Sequence, residues 1–273
     1  MAEAEASNIR LLSHNTLGGF GNGGEGLALQ RTSDGRRILY IAHESAPKNF
    51  TVVDVSDPTE PCVIAQTDLP HAKVRSNSLD VTGDIMAVAY QTAEPGLTPA
   101  GMELFDVSDP ANPKSIAFLD RSGPRSRGAH CLWFVDGEYV HLSSGAPDSQ
   151  PRNQLDDQFY QIIDVRNPSH PIEIGRWWLP GVMDGDAEAA PERHPVHDMG
   201  FRTHNINVYP ERPDRAYIGY IDGGVIILDI ADKSHPRMIS RLDYHPPMTG
   251  FTHTVLPLLS KETLIVSDEA IRP

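Results

Sequence analysis

Short runs of β-branched and aromatic residues recur along the chain, each closed by an aspartate and a proline-bearing turn. They read Val52-Val53-Asp54-Val55-Ser56-Asp57-Pro58, Leu104-Phe105-Asp106-Val107-Ser108-Asp109-Pro110, Ile162-Ile163-Asp164-Val165-Arg166-Asn167-Pro168 and Ile227-Leu228-Asp229-Ile230-Ala231-Asp232. A further proline follows at Pro61, Pro113, Pro171 and Pro236. Proline lacks the N–H that a sheet ladder needs, so each Asp-Pro-x-x-Pro cluster predicts a tight turn between strands. Behind each turn the apolar pattern predicts another strand, over 62–69, 114–119, 172–179 and 237–242. Ahead of each motif it predicts a hairpin: 27–30 with 38–42, 79–81 with 85–89, 132–135 with 139–142, and 206–209 with 216–220. Ser33-Asp34-Gly35, Thr82-Gly83-Asp84 and Asp136-Gly137 supply hairpin-turn chemistry.

Each unit therefore holds four strands, A to D, and radial repetition of four-stranded sheets is a β-propeller. The predicted class is all-β, with about five blade units visible. Residues 8–17 read as a lone D strand, and 255–259 with 264–267 as a lone A–B pair. The expectation is that the N-terminal strand completes this last blade, which stays one strand short, as in a chain truncated from a larger ring. Residues 1–7 are expected to be a disordered N-terminus and 8–273 the propeller domain. The incomplete blade predicts an open edge at which copies of the chain pair into a homo-oligomer.

The Asp-centred strand and Ser-Asp-Pro turn, as in Val53-Asp54-Val55-Ser56-Asp57-Pro58 and Phe105-Asp106-Val107-Ser108-Asp109-Pro110, resemble the LVIVD-repeat β-propeller family. The later copies decay, to Arg166-Asn167 and Ala231-Asp232-Lys233. The resemblance implies the fold and carries over no catalytic residue.

Composition narrows the partners. The 273 residues carry 37 acidic and 23 basic side chains, a formal net charge of −14. With no basic stripe, nucleic acid and anionic membrane are excluded as expected partners. The amino terminus lacks the basic and apolar regions of a signal peptide, and no apolar run reaches transmembrane length. Cys62 and Cys131 form no C-x-x-C and no disulfide framework. The expected setting is cytoplasmic.

Aligned on their apolar alternation, the A strands place one polar residue at a shared register: Glu25, Asn77, His130, His204 and His253. These lie about fifty to seventy-five residues apart, yet strand A lines a propeller's axis, so they should converge. Strand B ends on the same face with His43-Glu44, Tyr90-Gln91, Ser143-Ser144, Tyr220-Ile221 and Asp268-Glu269. Long B–C and D–A connections, such as 92–100, 145–158 and 180–203, gather there too. In repeat folds that face usually binds.

His130, His204 and His253, with Glu25, are the expected ligands of a divalent transition metal (Fe, Cu, Zn or Mn) with open coordination positions. Glu44, Asp268 and Glu269 would orient the imidazoles. His43, Glu44, Tyr220 and Glu269 are the candidate acid–base groups. The layout is similar to histidine-ringed metal propellers such as carotenoid cleavage oxygenases and selenium-binding proteins. The expectation is a metal-dependent enzyme, of lyase or oxygenase type, acting on a small organic molecule in the axial pocket. The alternatives are a non-catalytic scaffold, which would present an apolar patch to a protein partner, and a shortened chain without activity. His194-Pro195-Val196-His197-Asp198 ranks as a weaker metal motif, since Pro195 forbids the helix its spacing suits. His141 reads as packed inside its blade, and His71, His170, His235 and His245 as exposed turn residues. The glycine-rich stretch 18–24 reads as a loop over the site.

Overall fold

A computed structural model describes residues 7–245, 248 and 250–269. Four antiparallel sheets follow one another along the chain, three of four strands and one, the second, with a short fifth strand. Blade one holds β1 (Gly23–Arg31), β2 (Arg37–His43), β3 (Lys48–Asp54) and β4 (Cys62–Asp68). The two-residue β5 (Val74–Arg75) leads into blade two: β6 (Leu79–Thr82), β7 (Ile85–Thr92), β8 (Gly101–Asp106) and β9 (Lys114–Asp120). A small hairpin, β10 (Ser122–Gly123) and β11 (Ser126–Arg127), precedes blade three: β12 (Ala129–Trp133), β13 (Tyr139–Ser144), β14 (Phe159–Asp164) and β15 (Ile172–Trp177). Blade four is β16 (Thr203–Tyr209), β17 (Arg212–Tyr220), β18 (Gly224–Asp229) and β19 (Arg237–Leu242). β20 (Thr252–Leu258) and β21 (Thr263–Asp268) pair as a two-stranded sheet. The chain is an all-β propeller, as its repeats predict. Among the described residues no helix is long and apolar enough to cross a membrane.

The repeated motif folds identically each time because its aspartates are built for it. The Asp54, Asp106, Asp164 and Asp229 carboxylates accept the backbone N–H two residues on, from Ser56, Ser108, Arg166 and Ala231. Asp57, Asp109, Asn167 and Asp232 then do the same for Thr59, Ala111, Ser169 and Ser234. Two successive Asx turns thus reverse the chain without a sheet ladder. One residue after re-entry, each outer strand carries a β-bulge against its partner. The extra residue is always an isoleucine: Ile64, Ile116, Ile174 and Ile239. The first three pack on the cores between blades.

Those cores lie between neighbouring sheets. Phe50, Tyr40, Val88 and Phe105 join blades one and two. Leu104, Leu132, Phe134 and Leu142 join two and three. Tyr160, Ile162, Ile206, Tyr220 and Leu228 join three and four, and Tyr217, Val225 and Val255 join four to β20. Each large side chain so buried contributes roughly 1.5–3 kcal/mol.

Two expectations at the ends change. Residues 8–16 form no strand. They lie along blade one, where Ser13 Oγ donates to the Pro58 carbonyl and Asn15 Nδ2 to that of Pro61. Side-chain bonds to a turn hold this segment, not a backbone ladder, so it does not complete the β20–β21 sheet. Residues 1–6, expected to be disordered, lie outside the described residues. Leu27, the apolar position that sets the register of Glu25 and is expected from it to be buried, is 63% exposed, while its neighbours Ala28 and Gln30 are buried. Leu27 shares a strand face with Glu25 and lines an axial channel of about 520 Å³ with Leu79, Leu132 and Asn205.

Candidate metal centre

The inner strands β1, β12, β16 and β20 each carry a register irregularity against their hairpin partners. The surplus residues include Glu25, His130, His204 and His253. Asn77 stands in the equivalent break between β5 and β6. A bulge re-aims a side chain out of the sheet's alternation, and here it turns these residues towards the axis. Close approach is built in. A Cβ on Gly26 would meet the Leu79 nitrogen at 2.2 Å, and one on Gly219 would meet the His253 carbonyl at 2.1 Å.

The three imidazoles meet. His130 Nε2 lies 2.8 Å from His204 Nε2, and the His204 and His253 ring centroids are 4.1 Å apart. His130 Nδ1 is 3.1 Å from the Gln91 amide oxygen, and His204 Nδ1 is 2.7 Å from that of Asn205. An amide oxygen only accepts, so His204 Nδ1 carries the proton; His130 Nδ1 also lies 3.4 Å from Arg75 Nη2, a donor, and the shorter contact with Gln91 places a proton there too. Both Nε2 lone pairs therefore point at each other. Burial, reinforced by the neighbouring histidine, pushes the His130 pKa well below its usual value and that of His204 to about 4. Near neutral pH neither ring holds a proton that would relieve the contact.

His253 differs. Burial works to lower its pKa, but the facing Glu25 carboxylate prevails and raises it. Burial works to raise that of Glu25, and His253 and His204 outweigh it, so the carboxylate is favoured. His253 Nε2 and Glu25 Oε1 stand 3.7 Å apart. Two overlapping donor sets result: Glu25, His130 and His204, and His204, His253 and Glu269, each with ligand atoms within 4.8 Å of one another.

Of these groups, all but His253 line a cavity of about 200 Å³, with Glu44 and others. Of the expected acid–base residues, Glu44 and Glu269 reach it. Burial, with Glu25 and Glu269 nearby, raises the Glu44 pKa against the pull of Arg75, which contacts its carboxylate. His43 does not reach the well. Its ring is fully buried between Asn22 Oδ1 and Thr51 Oγ1, at 3.0 and 2.8 Å. Tyr220 does not either: it lies in the core between blades three and four, its hydroxyl accepting the Leu179 N–H at 3.1 Å. Both sit at the end of strand B, where alternation sends their side chains between sheets instead of to the axis.

The sequence reading placed Gln91 on this face but missed the rest of the basic and amide wall of the same cavity: Arg75, Arg127, Gln158 and Arg202. A signal was present. Arg75 and Arg202 each stand two residues before a ring residue, and Arg127 stands three before His130. Arg75 holds the Gln91 oxygen at 2.7 and 3.0 Å, fixing the amide that orients His130.

The His194–His197 motif lies elsewhere, on a cavity of about 340 Å³ with Arg193, Phe201 and Asp222. His194 Nδ1 accepts the backbone N–H groups of Val196 and His197, closing a turn. It joins no metal-competent cluster among the described residues. His141 is buried and bonded to the Tyr160 hydroxyl at 2.7 Å, as its packed reading expects.

The family model of the LVIVD repeat matches residues 39–68, 157–178 and 214–243, strands B to D of blades one and four and strands C and D of blade three. No curated protein matches the chain. Among solved structures, the β-propeller domain of Myceliophteria thermophila Cps50 (Swd1) aligns with a TM-score of 0.52 at 18% identity, over 90% of this chain and 64% of that one. The Bombyx mori GH32 beta-fructofuranosidase BmSUC1 aligns at 0.46 and 12% identity, over 86% of this chain and 51% of that one. The chain thus spans under two thirds of either neighbour. At such identities the first likeness establishes the propeller fold alone, and the second is too remote to argue from.

Proposed function

We propose, from the premise that the chain is an LVIVD-repeat β-propeller, that it is a metal-dependent enzyme acting on a small organic molecule in its axial well. The observation that carries this reading is the His130–His204 pair. Two neutral, buried imidazoles present their Nε2 lone pairs to each other at 2.8 Å, with both Nδ1 protons already committed. That arrangement is repulsive by itself and favourable around a shared Lewis acid. Glu25 and His253 complete the donor set, and imidazole with carboxylate suits Fe, Zn, Cu or Mn.

Bound there, such an ion supplies Lewis-acid activation or, as Fe or Cu, oxidative chemistry. The chain's own residues do the rest. Gln91 and Asn205 hold the imidazole tautomers. Glu44, whose raised pKa keeps a proton available nearer neutrality than an ordinary carboxyl, and Glu269 give and take protons at the mouth. A polar well of this kind, with Phe251 as its apolar side chain, favours an enzyme over a scaffold, for which an apolar docking patch was the expectation. The free thiols of Cys62 and Cys131 fit a reducing compartment and support a cytoplasmic setting.

The test is metal content by plasma mass spectrometry on wild type, His204→Ala and His235→Ala. We expect near-stoichiometric transition metal in wild type and in His235→Ala, an exposed turn variant, and its loss in a folded His204→Ala. Equal metal in all three would refute the assignment.

A further inference from the structure

The wall opposite the acidic ligands has no role in holding a cation. Arg127, Gln158 and Arg202 line the cavity beside His130 and His204. Gln158 is 2% exposed, yet its Nε2 has no hydrogen-bond partner, and Arg202 Nε is likewise buried and unpartnered. Buried donors without acceptors cost roughly 1–3 kcal/mol each, so their persistence on a cavity wall points to an acceptor that arrives with a ligand.

We infer that this wall is an anion subsite that binds the carboxylate of a small organic acid, the substrate class of the axial well. Charge selects the anion. Asp157, whose side chain is 1% exposed, takes Arg127 Nε at 2.5 Å and Arg202 Nη1 at 3.5 Å. Around the whole cavity Arg75, Arg127 and Arg202 stand against Glu25, Glu44, Glu269 and Asp157, so a divalent ion brings the balance to one net positive charge, which matches a monoanion and under-compensates a phosphate dianion. The donors are planar and guanidinium-based, the chemistry that carboxylates match best. Size selects the molecule: about 200 Å³ falls below the roughly 300–1,000 Å³ of pockets for drug-sized ligands. The subsite sits against the imidazoles, so a 2-hydroxy or 2-oxo acid would place its carboxylate on the arginines and its second oxygen towards the ring. This deepens the metal reading and rests on it for that second contact and for the positive charge balance of the cavity.

Isothermal titration of the whole protein with glycolate, acetate and inorganic phosphate tests it, on metal-loaded and chelator-stripped samples of wild type, Gln158→Leu, Arg202→Lys and His204→Ala. Glycolate should bind loaded wild type more tightly than acetate or phosphate. Gln158→Leu should weaken both carboxylates about tenfold, or about 1.4 kcal/mol, with metal content unchanged, and Arg202→Lys should do the same. His204→Ala should lose the preference for glycolate over acetate but still bind acetate. Unaltered carboxylate affinity in folded Gln158→Leu and Arg202→Lys would overturn the subsite and leave the metal standing, as would phosphate binding more tightly than glycolate. Acetate binding that depends on Gln158 in a protein holding no metal would uphold the subsite and refute the metal.

Discussion

Replacing His141 by leucine together with Tyr160 by phenylalanine removes a buried titrating group from blade three at nearly constant volume. His141 is enclosed by β13 and β14, stacked on Tyr160 at 5.9 Å between ring centroids and bonded to its hydroxyl. Burial lowers its pKa to about 4, against about 6.5 for a free imidazole. Between those values the unfolded chain takes up a proton that the folded chain refuses, so stability falls as pH drops through the window. A separation of about 2.5 pH units, at about 1.4 kcal/mol per unit, amounts to about 3 kcal/mol lost by pH 4. His130 and His204 act in the same direction in metal-free protein, so the difference between wild type and the double variant isolates His141. Removing both hydrogen-bond partners together leaves no orphaned donor, which keeps the variant foldable. Urea unfolding at pH 7, 6, 5 and 4 on chelator-treated samples should give curves that converge by about 3 kcal/mol on acidification, wild type losing more. Parallel curves down to pH 4 would refute the reasoning.

Two further substitutions separate fold from site. Tyr220→Phe leaves the buried Leu179 N–H without its acceptor and should cost roughly 1–3 kcal/mol in denaturant unfolding, while metal content stays at the wild-type level. A loss of metal would return Tyr220 to the site. Gly219→Val meets the His253 carbonyl at 2.1 Å, so β20 must shift; roughly 1–3 kcal/mol of stability should go, and metal retention should drop with the displaced His253.

The blades were legible because one chemistry recurs: the Asp54, Asp106, Asp164 and Asp229 turns each satisfy the backbone locally, and local satisfaction shows in a short motif. The axial convergence of Glu25, His130, His204 and His253 was legible for a related reason, since equivalent positions of a radial repeat share an environment. The bulges that aim them are not visible in the apolar alternation, which is why Leu27 read as core and instead faces the channel. Strand ends were the weak point. His43 and Tyr220 end strands β2 and β17 beside the site but face between sheets, a difference of one pleat. Arg75 and Arg127 reach the well from two-residue strands too short to leave a periodic signal, and Asp157, buried against Arg127 and Arg202, carries no motif at all. Residues 8–17 have strand-like composition, yet Ser13 and Asn15 bond to the Pro58 and Pro61 carbonyls, an arrangement no periodicity encodes.

Anomalous diffraction from crystals of the metal-loaded protein, recorded at the absorption edge of the ion found, tests the central claim most directly. The account predicts one strong peak at bonding distance, about 2 Å, from both His130 Nε2 and His204 Nε2, with Glu25 or His253 also in its coordination sphere. A peak at His194 and His197, or an unfilled axial well in crystals whose protein carries stoichiometric metal, would contradict it.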